Sequence, residues 1–313
     1  MINRFKSRIF NMSESSLSLT SLNFKTESRQ PKPGRWGQDR RLEFIEFRLL
    51  WEGRINRSEL ADFFGVSIQQ VSLDFAKYMM VAEDNMEYDR SEKIYRVTPQ
   101  FDPKFMAPDT QTFLNQLANL TTGTLSPSLS FIGTRPPCDV VTLPTRRVRT
   151  DVLLSVLWAI RDRSEIEVTY QSMRRPSATR RWIVPHSLAF DGGRWHARAW
   201  CHNSKMFRDF VLTRIQEIHT HRESEVDATK DSEWHTYAVV EIEPRPNLTV
   251  GQRDSVITDF GMQNGKLRKT IRRALVQYFV RHLQIDEPEN TGQPVVWANR
   301  EEFKDLVDPN RLY

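Results

Sequence analysis

The stretch that decides the reading lies between Ile166 and Ile215: IEVTYQSM over 166–173, RWIVPHSLAFDGGRWHARAWC over 181–201 and FRDFVLTRI over 207–215. Val, Ile, Trp, Phe and Tyr recur there in short runs broken at Pro176, Pro185 and the turn Asp191-Gly192-Gly193, the pattern of antiparallel strands joined by hairpins. Successive side chains alternate across a strand. In the third run this puts Trp195, Ala197 and Ala199 on one face and Arg194, His196, Arg198 and Trp200 on the other. In the last run Arg208, Phe210, Leu212 and Arg214 share a side, with Phe207, Val211 and Ile215 opposite. The expectation is a small all-β module. If its arginine-bearing faces converge in a curled sheet, they form a pocket for an anion.

Upstream the period changes from two to that of helices. Leu42, Ile45 and Leu49 form one stripe between Asp39 and Gly53, broadened by Phe44, Phe47 and Trp51. Asn56 with Glu59 makes an N-terminal capping pair for a second helix that carries Leu60, Phe63 and Phe64 inward and stops at Gly65. Ser67 with Gln70 repeats that spacing, and Ile68, Val71, Phe75 and Met79 line a third helix running to about Val81. A helix, a short Gly-containing turn and a helix, with a preceding helix to complete the core, is the helix-turn-helix pattern. MEYDRSEKIYRV over 86–97 follows as two short strands around a polar turn, the expected wing.

Ser67, Gln69, Gln70, Ser72 and Lys77 are then the candidate DNA contacts of a recognition helix, with Arg57, Arg90 and Lys93 as flanking cations. Asp74 counts against this reading if it is exposed, because it would face phosphates. The rival reading is a three-helix bundle that contacts protein.

Residues 1–38 are rich in Ser, Thr, Lys and Arg and end near Pro31-Lys32-Pro33-Gly34, which predicts a disordered basic arm, with Met12 as a second candidate start. The domain reading continues with the winged helix over 39–100 and a connector that helps dimerisation over 101–149. The latter contains a helix from Asp109 to Leu120 and a strand from Leu129 to Ile132. An apolar helix, Val152 to Ile160, opens the β module of 150–222. The charged stretch Glu217 to Glu233 reads as a surface linker or a frayed helix. A C-terminal α+β unit over 223–313 has strands at Ala238–Ile242, Lys266–Leu275 and Val295–Trp297, helices at Leu248–Phe260 and Leu275–Leu283, and an acidic helix from Arg300. The fold class is α+β and multidomain.

A chain of 313 residues with 39% apolar and 27% charged residues can bury two or three cores, and no apolar run approaches the roughly 20 residues that span a bilayer. The net charge of +5 favours phosphate-bearing partners. The two cysteines, Cys138 and Cys201, are far apart and lack CxxC spacing, which argues for free thiols in a reducing cytoplasm and against a cysteine-built zinc site. No GxxxxGK[ST] or GxGxxG loop occurs. Ser172, His186 and His196 have no orienting carboxylate in view, Glu165 and Glu167 make no metal site by themselves, and His219 and His221 lack a third ligand. No catalytic residue, metal or cofactor is therefore expected.

At the β module, Tyr170, Pro185-His186, the run Gly193 to Cys201, Phe207-Arg208-Asp209-Phe210 and Leu212-Thr213-Arg214-Ile215 together resemble the WYL domain. The order of modules is most similar to the WYL repressors of the BrxR and CapW type that accompany bacterial phage-defence islands. The resemblance implies an Sm-like or SH3-like β-barrel behind a winged helix, a C-terminal extension, and a homodimeric repressor. Such a repressor binds double-stranded inverted-repeat operators and responds to a nucleotide-like or oligonucleotide effector. By position it implies Tyr170, Ser172, His186, Arg194, His196, Arg198, Arg208 and Arg214 as the ligand set. The Trp-Tyr-Leu triplet of the family is Trp195-His196-Ala197 here, which exchanges a phenol for a group that can carry charge near neutral pH. Trp195 is expected in the core. The competing role for the arginines is ion pairing with Asp191 and Asp209. The competing functions are a nucleic-acid-processing enzyme or accessory subunit that holds single strands on the β module, and a structural adaptor.

Overall fold

The computed structural model describes residues 37–142, 144, 146–287 and 292–306. The expected basic arm and Met12 lie outside the described residues except for Gly37 and Gln38. The chain forms two compact units that divide between residues 143 and 144.

In the first unit, helix α1 spans Gln38–Glu52 and ends at Gly53, whose φ of 71° is a left-handed value that glycine adopts without strain. Strand β1 is Arg54–Ile55. Helix α2, Arg57–Phe64, has both arms of its capping box: Glu59 N donates to Asn56 Oδ1 at 2.9 Å and Asn56 N donates to Glu59 Oε2 at 2.8 Å. Helix α3 spans Ile68–Val81, with the Gln70 amide N–H donating to Ser67 Oγ at 3.2 Å. The reciprocal arm is not made, since the Gln70 side chain donates to Asp74 instead. The wing is β2, Met86–Asp89, and β3, Ile94–Val97. Strand β1, too short to leave a sequence signal, pairs with β3 to give the order β1-β3-β2.

The segment after the wing packs onto this core. Helix α4, Thr110–Thr121, is capped by Asp109 and buries Leu117 and Leu120 in the same cluster as Leu42, Ile45 and Phe75. The strand expected at Leu129–Ile132 is absent. Pro127 starts a single 3-10 turn over Pro127–Leu129, and Phe131 then leaves the backbone direction to set its ring edge-on to Phe44, Phe47 and Phe63 at 5.1, 5.8 and 5.4 Å. A buried carboxylate ties the segment down: Glu46 accepts from the backbone N–H groups of Lys104, Phe105 and Met106 at 2.7, 2.7 and 2.8 Å, and from the Tyr78 hydroxyl at 3.1 Å.

In the second unit, helix α5, Thr150–Asp162, packs on a five-stranded antiparallel sheet. The strands are β4, Ser164–Tyr170; β5, Thr179–Phe190; β6, Trp195–Cys201; β7, Met206–Val211; and β8, Ile215–Glu223, in the order β7-β6-β5-β4-β8. Pro185 does not break β5. It pairs with Ala199 beside a bulge that leaves His186 without a partner on β6, a kind of site where sheets tolerate proline. The first part of the expected charged linker, Glu217 to Glu223, instead belongs to β8, an edge strand whose polar residues suit its exposed position. The end of β7 and the turn after it approach the end of β4 at one corner, where Val211 N donates to Tyr170 Oη at 3.2 Å and Gln171 N to Arg214 O at 3.1 Å. No ladder closes them into a barrel among the described residues.

The C-terminal part adds α6, Ser232–His235; β9, Tyr237–Pro244; α7, Val250–Asp259; β10, Leu267–Arg272; α8, Val276–His282; and β11, Val295–Trp297. The sheet order is β10-β9-β11, over a core of Val240, Ile242, Val276 and Val280. The helix expected from Arg300 is one 3-10 turn that seats Phe303 against Trp297.

Candidate functional site

The first candidate is the outer side of α3. Val71, Asp74, Phe75 and Tyr78 face the core, which leaves Gln69, Leu73, Ala76 and Met80, at helical spacing, along the opposite side. Gln69 is exposed. Ser67 spends its hydroxyl oxygen on the cap, and Ser72 Oγ donates to Ile68 O at 2.9 Å. Gln70 donates to Asp74 at 3.2 Å, and Lys77 Nζ to Gln38 Oε1 at 2.5 Å. Asp74 does not face outward. It is fully buried, and Arg41 donates to both of its oxygens at 2.6 and 3.2 Å. The objection raised by its charge therefore disappears.

Arg57 Nη2 donates to Tyr95 Oη at 2.6 Å, and the Tyr95 ring lies 4.5 Å from Phe75 of α3. One wing tyrosine thus joins the start of α2 to α3. Arg90 and Lys93 are exposed at the wing turn, where Lys93 takes a φ of 57°. Leu73 and Met80, 63% and 86% exposed, are apolar surface residues that sequence reading passed over, and Ile68, expected in the buried stripe, is exposed.

The second candidate is a cavity of about 510 Å³ that wraps the free edge of β7. Register with β6 sets Arg208 and Phe210 on the side of Ala199 and Ala197, and Asp209 on the side of Arg198. Of the expected ligand set, Tyr170, Ser172, His196, Arg198, Arg208 and Arg214 line the cavity, whereas His186 and Arg194 do not. Arg174, Arg181, Lys230, Asp231, Glu233 and Tyr278 also line it, and sequence reading missed all six.

Within the cavity the cationic face is partly neutralised. Arg198 is 3% exposed and donates through Nε and Nη2 to Asp231 at 2.7 and 2.9 Å, through Nη2 to Glu233 at 3.0 Å and through Nη1 to Asp209 at 3.4 Å. Burial works against its charge, but the bond to Asp231 and the three carboxylates outweigh it and hold its pKa above the ordinary arginine value. Burial likewise works against the Asp231 carboxylate, and the bonds from Arg198 and His186 overcome it and lower its pKa. The expected partners Asp191 and Asp209 were thus half of the answer: Asp209 does pair with Arg198, while Asp191 holds His196 Nε2 at 2.9 Å. The bulge at β5 aims His186 Nε2 at Asp231 from behind, at 3.0 Å.

The His196 ring lies 4.9 Å from Tyr278, whose hydroxyl donates to Asp209 at 3.1 Å. Burial first, then the Asp209 charge, push the Tyr278 phenol well above the usual tyrosine range. Trp195 is not in the core: at the first position of β6 it is 48% exposed and packs on Phe190 at 5.0 Å.

Six basic side chains line the cavity (Arg174, Arg181, Arg198, Arg208, Arg214 and Lys230) against three acidic ones, so its field favours an anion even with Arg198 matched. Tyr170 and Phe210, edge-on at 5.0 Å with Arg181 over both rings, supply an apolar wall. Among the described residues no group of His, Cys, Asp and Glu could hold a metal ion, and no helix is long and apolar enough to cross a membrane.

Comparison with known proteins gives three family profiles along the chain. Residues 37–119 match the BrxR transcriptional regulator winged helix-turn-helix domain, residues 151–220 the WYL domain, and residues 237–303 the BrxR transcriptional regulator C-terminal dimerization domain. The chain is similar to the DNA-binding transcriptional repressor CapW of Escherichia coli (strain KTE188), 40% identical over 274 residues that cover 86% of this chain and 91% of that protein. It is similar to the CapW of Stenotrophomonas maltophilia, 40% identical over 290 residues (91% and 97% of the two chains), and to that of Pseudomonas aeruginosa, 40% identical over 284 residues (90% and 95%). These relatives are named as DNA-binding transcriptional repressors.

Proposed function

The chain belongs to the CapW family of DNA-binding transcriptional repressors, and from that premise we propose that it is a homodimeric, sequence-specific repressor that reads an inverted-repeat operator. The observation that carries this reading is α3 itself: a capped second helix of a helix-turn-helix whose outer side holds Gln69 and Leu73, with its one acid turned inward onto Arg41. Gln69 and Ser72 are the base-reading groups of the proposal, and Arg57, Arg90 and Lys93 the phosphate contacts. The match of residues 237–303 to a dimerization domain supports pairing through the C-terminal part.

The β7 cavity is the effector site in this proposal, and its occupant is a nucleotide-like or oligonucleotide anion. Arg208, Arg214, Arg174 and Lys230 supply the charge, and Tyr170 and Phe210 the apolar wall. Binding relieves repression if the effector prefers a dimer geometry whose half-site spacing no longer fits the operator. A curled sheet of Sm or SH3 type around this cavity, and a role in regulating phage defence, complete the proposal as what the resemblance of the sequence implies.

The test is a salt series of binding curves between the full chain and duplex DNA from immediately upstream of its gene. The expected result is one dimer per site, with log affinity falling linearly with log salt and tighter binding than to scrambled duplex. Equal, weak affinity for both duplexes at every salt concentration would overturn the reading.

A further inference from the structure

Leu73 has no structural task. The buried stripe of α3 is complete with Val71, Phe75 and Tyr78, yet Leu73 stands 63% exposed on the opposite side with Ala76, also exposed, one turn on. A solvated helix face would carry charge or amide groups there. On the same side of α3 Gln69 lies one turn toward the N-terminus and exposed Met80 two turns on, and elsewhere in the unit Arg57 is bonded to the wing tyrosine while Arg90 and Lys93 are exposed at the wing turn. No acid interrupts the outer side, because Asp74 is buried on Arg41. An exposed apolar side chain beside an exposed amide, in a unit whose wing turn carries exposed cations, fits a partner that is anionic outside and carries a small apolar group within. In the major groove of DNA the thymine C5-methyl is that group.

We propose that Leu73, backed by Ala76, is a specificity residue that reads the 5-methyl group of one thymine in each operator half-site. The proposal rests on the DNA-binding reading above. Position supports it: Leu73 is the sixth residue of α3, within the N-terminal half of a recognition helix that meets base edges, whereas Met80 lies two turns farther along.

The experiment selects duplexes from a random pool with the full-length protein and then replaces each thymine of the winning sequence by 2′-deoxyuridine, which removes the methyl alone. Wild-type protein should lose affinity about fourfold per methyl at one thymine of each half-site, the transfer value of one buried carbon. Leu73→Ala should bind the thymine and uracil duplexes equally, with an unchanged circular dichroism spectrum because the side chain is exposed.

Three results would overturn the assignment while leaving the DNA reading intact. The first is a selected sequence whose thymines can all be replaced without effect. The second is a thymine preference that survives in Leu73→Ala. The third is weakened self-association in Leu73→Ala with DNA affinity unchanged, which would give the leucine to a protein interface. A pool that yields no enriched sequence would instead remove the DNA reading, and this assignment with it.

Discussion

Arg198 and Asp231 meet through two parallel hydrogen bonds of 2.7 and 2.9 Å with their side chains 4% and 2% exposed, so β6 is joined to the residue that caps α6. Removing one partner of such a pair strands a buried charge. Asp231→Ala should lower the stability of the second unit by about 3–5 kcal/mol, seen as a fall in the urea midpoint of that unit's transition. An unchanged midpoint would mean that Glu233 and Asp209 alone suffice to hold the guanidinium.

The same pair sets an acid limit. The carboxyls of Asp231 and Asp191 are both held below their ordinary value of 3.8 in the folded chain. Groups lowered in this way bind fewer protons folded than unfolded, so their contribution is fully present above about pH 4 and is lost as pH falls through the folded values. The midpoint of the second unit should be insensitive to these two groups from pH 5 to 8 and should drop below pH 4. Asp231→Asn should flatten that drop. An equally steep acid limb in the variant would assign the effect to other carboxylates.

Much of the fold could be read from local pattern. Gly53, Gly65, Asn56 and Ser67 mark helix ends through backbone requirements that act within a few residues, and the helices start and stop where those residues predict. What local pattern cannot carry is a partner chosen by tertiary distance. Strand β8 has no apolar alternation because it is an exposed edge, so only its pairing with β4 makes it a strand. Whether Asp74 is exposed stays open in the sequence because nothing near it reveals Arg41, 33 residues earlier. In the cavity, alternation placed His196 and Arg198 on one face, but burial of that face depends on Asp231, Glu233 and Tyr278 from beyond the sheet. The residues expected to greet a ligand are in part the ones that lock the unit together.

That division predicts how the cavity should respond to substitution. Arg208 is exposed at the β7 edge with Ser204 as its hydrogen-bond partner, and Arg214 lies beside Tyr170, whereas Arg194 lies off the cavity. Inorganic pyrophosphate titrated by calorimetry should bind about threefold to tenfold more weakly to Arg208→Ala or Arg214→Ala, about 1 kcal/mol per exposed charge-assisted hydrogen bond. Arg194→Ala should match the wild type within twofold. The reverse order would place the anion on the outer face of the hairpin.

On α3 the two glutamines should separate. Gln69 is exposed, while Gln70 is half-buried with its amide engaged on the Asp74 carboxylate, so only Gln69 can approach a base edge without giving up a bond inside the protein. Gln69→Ala should cost about 1–3 kcal/mol of operator binding and relax sequence preference at one base pair of each half-site. Gln70→Ala should leave preference unchanged. Replacement of Arg57, Arg90 or Lys93 should weaken binding to all sequences alike and make the salt slope shallower by about one for each phosphate that is no longer neutralised. Competition binding against single-base-pair variants of the selected duplex measures all of these. A preference that shifts with Gln70 and ignores Gln69 would require α3 to enter the groove rotated by about a quarter turn, with the Asp74–Arg41 pair broken on binding.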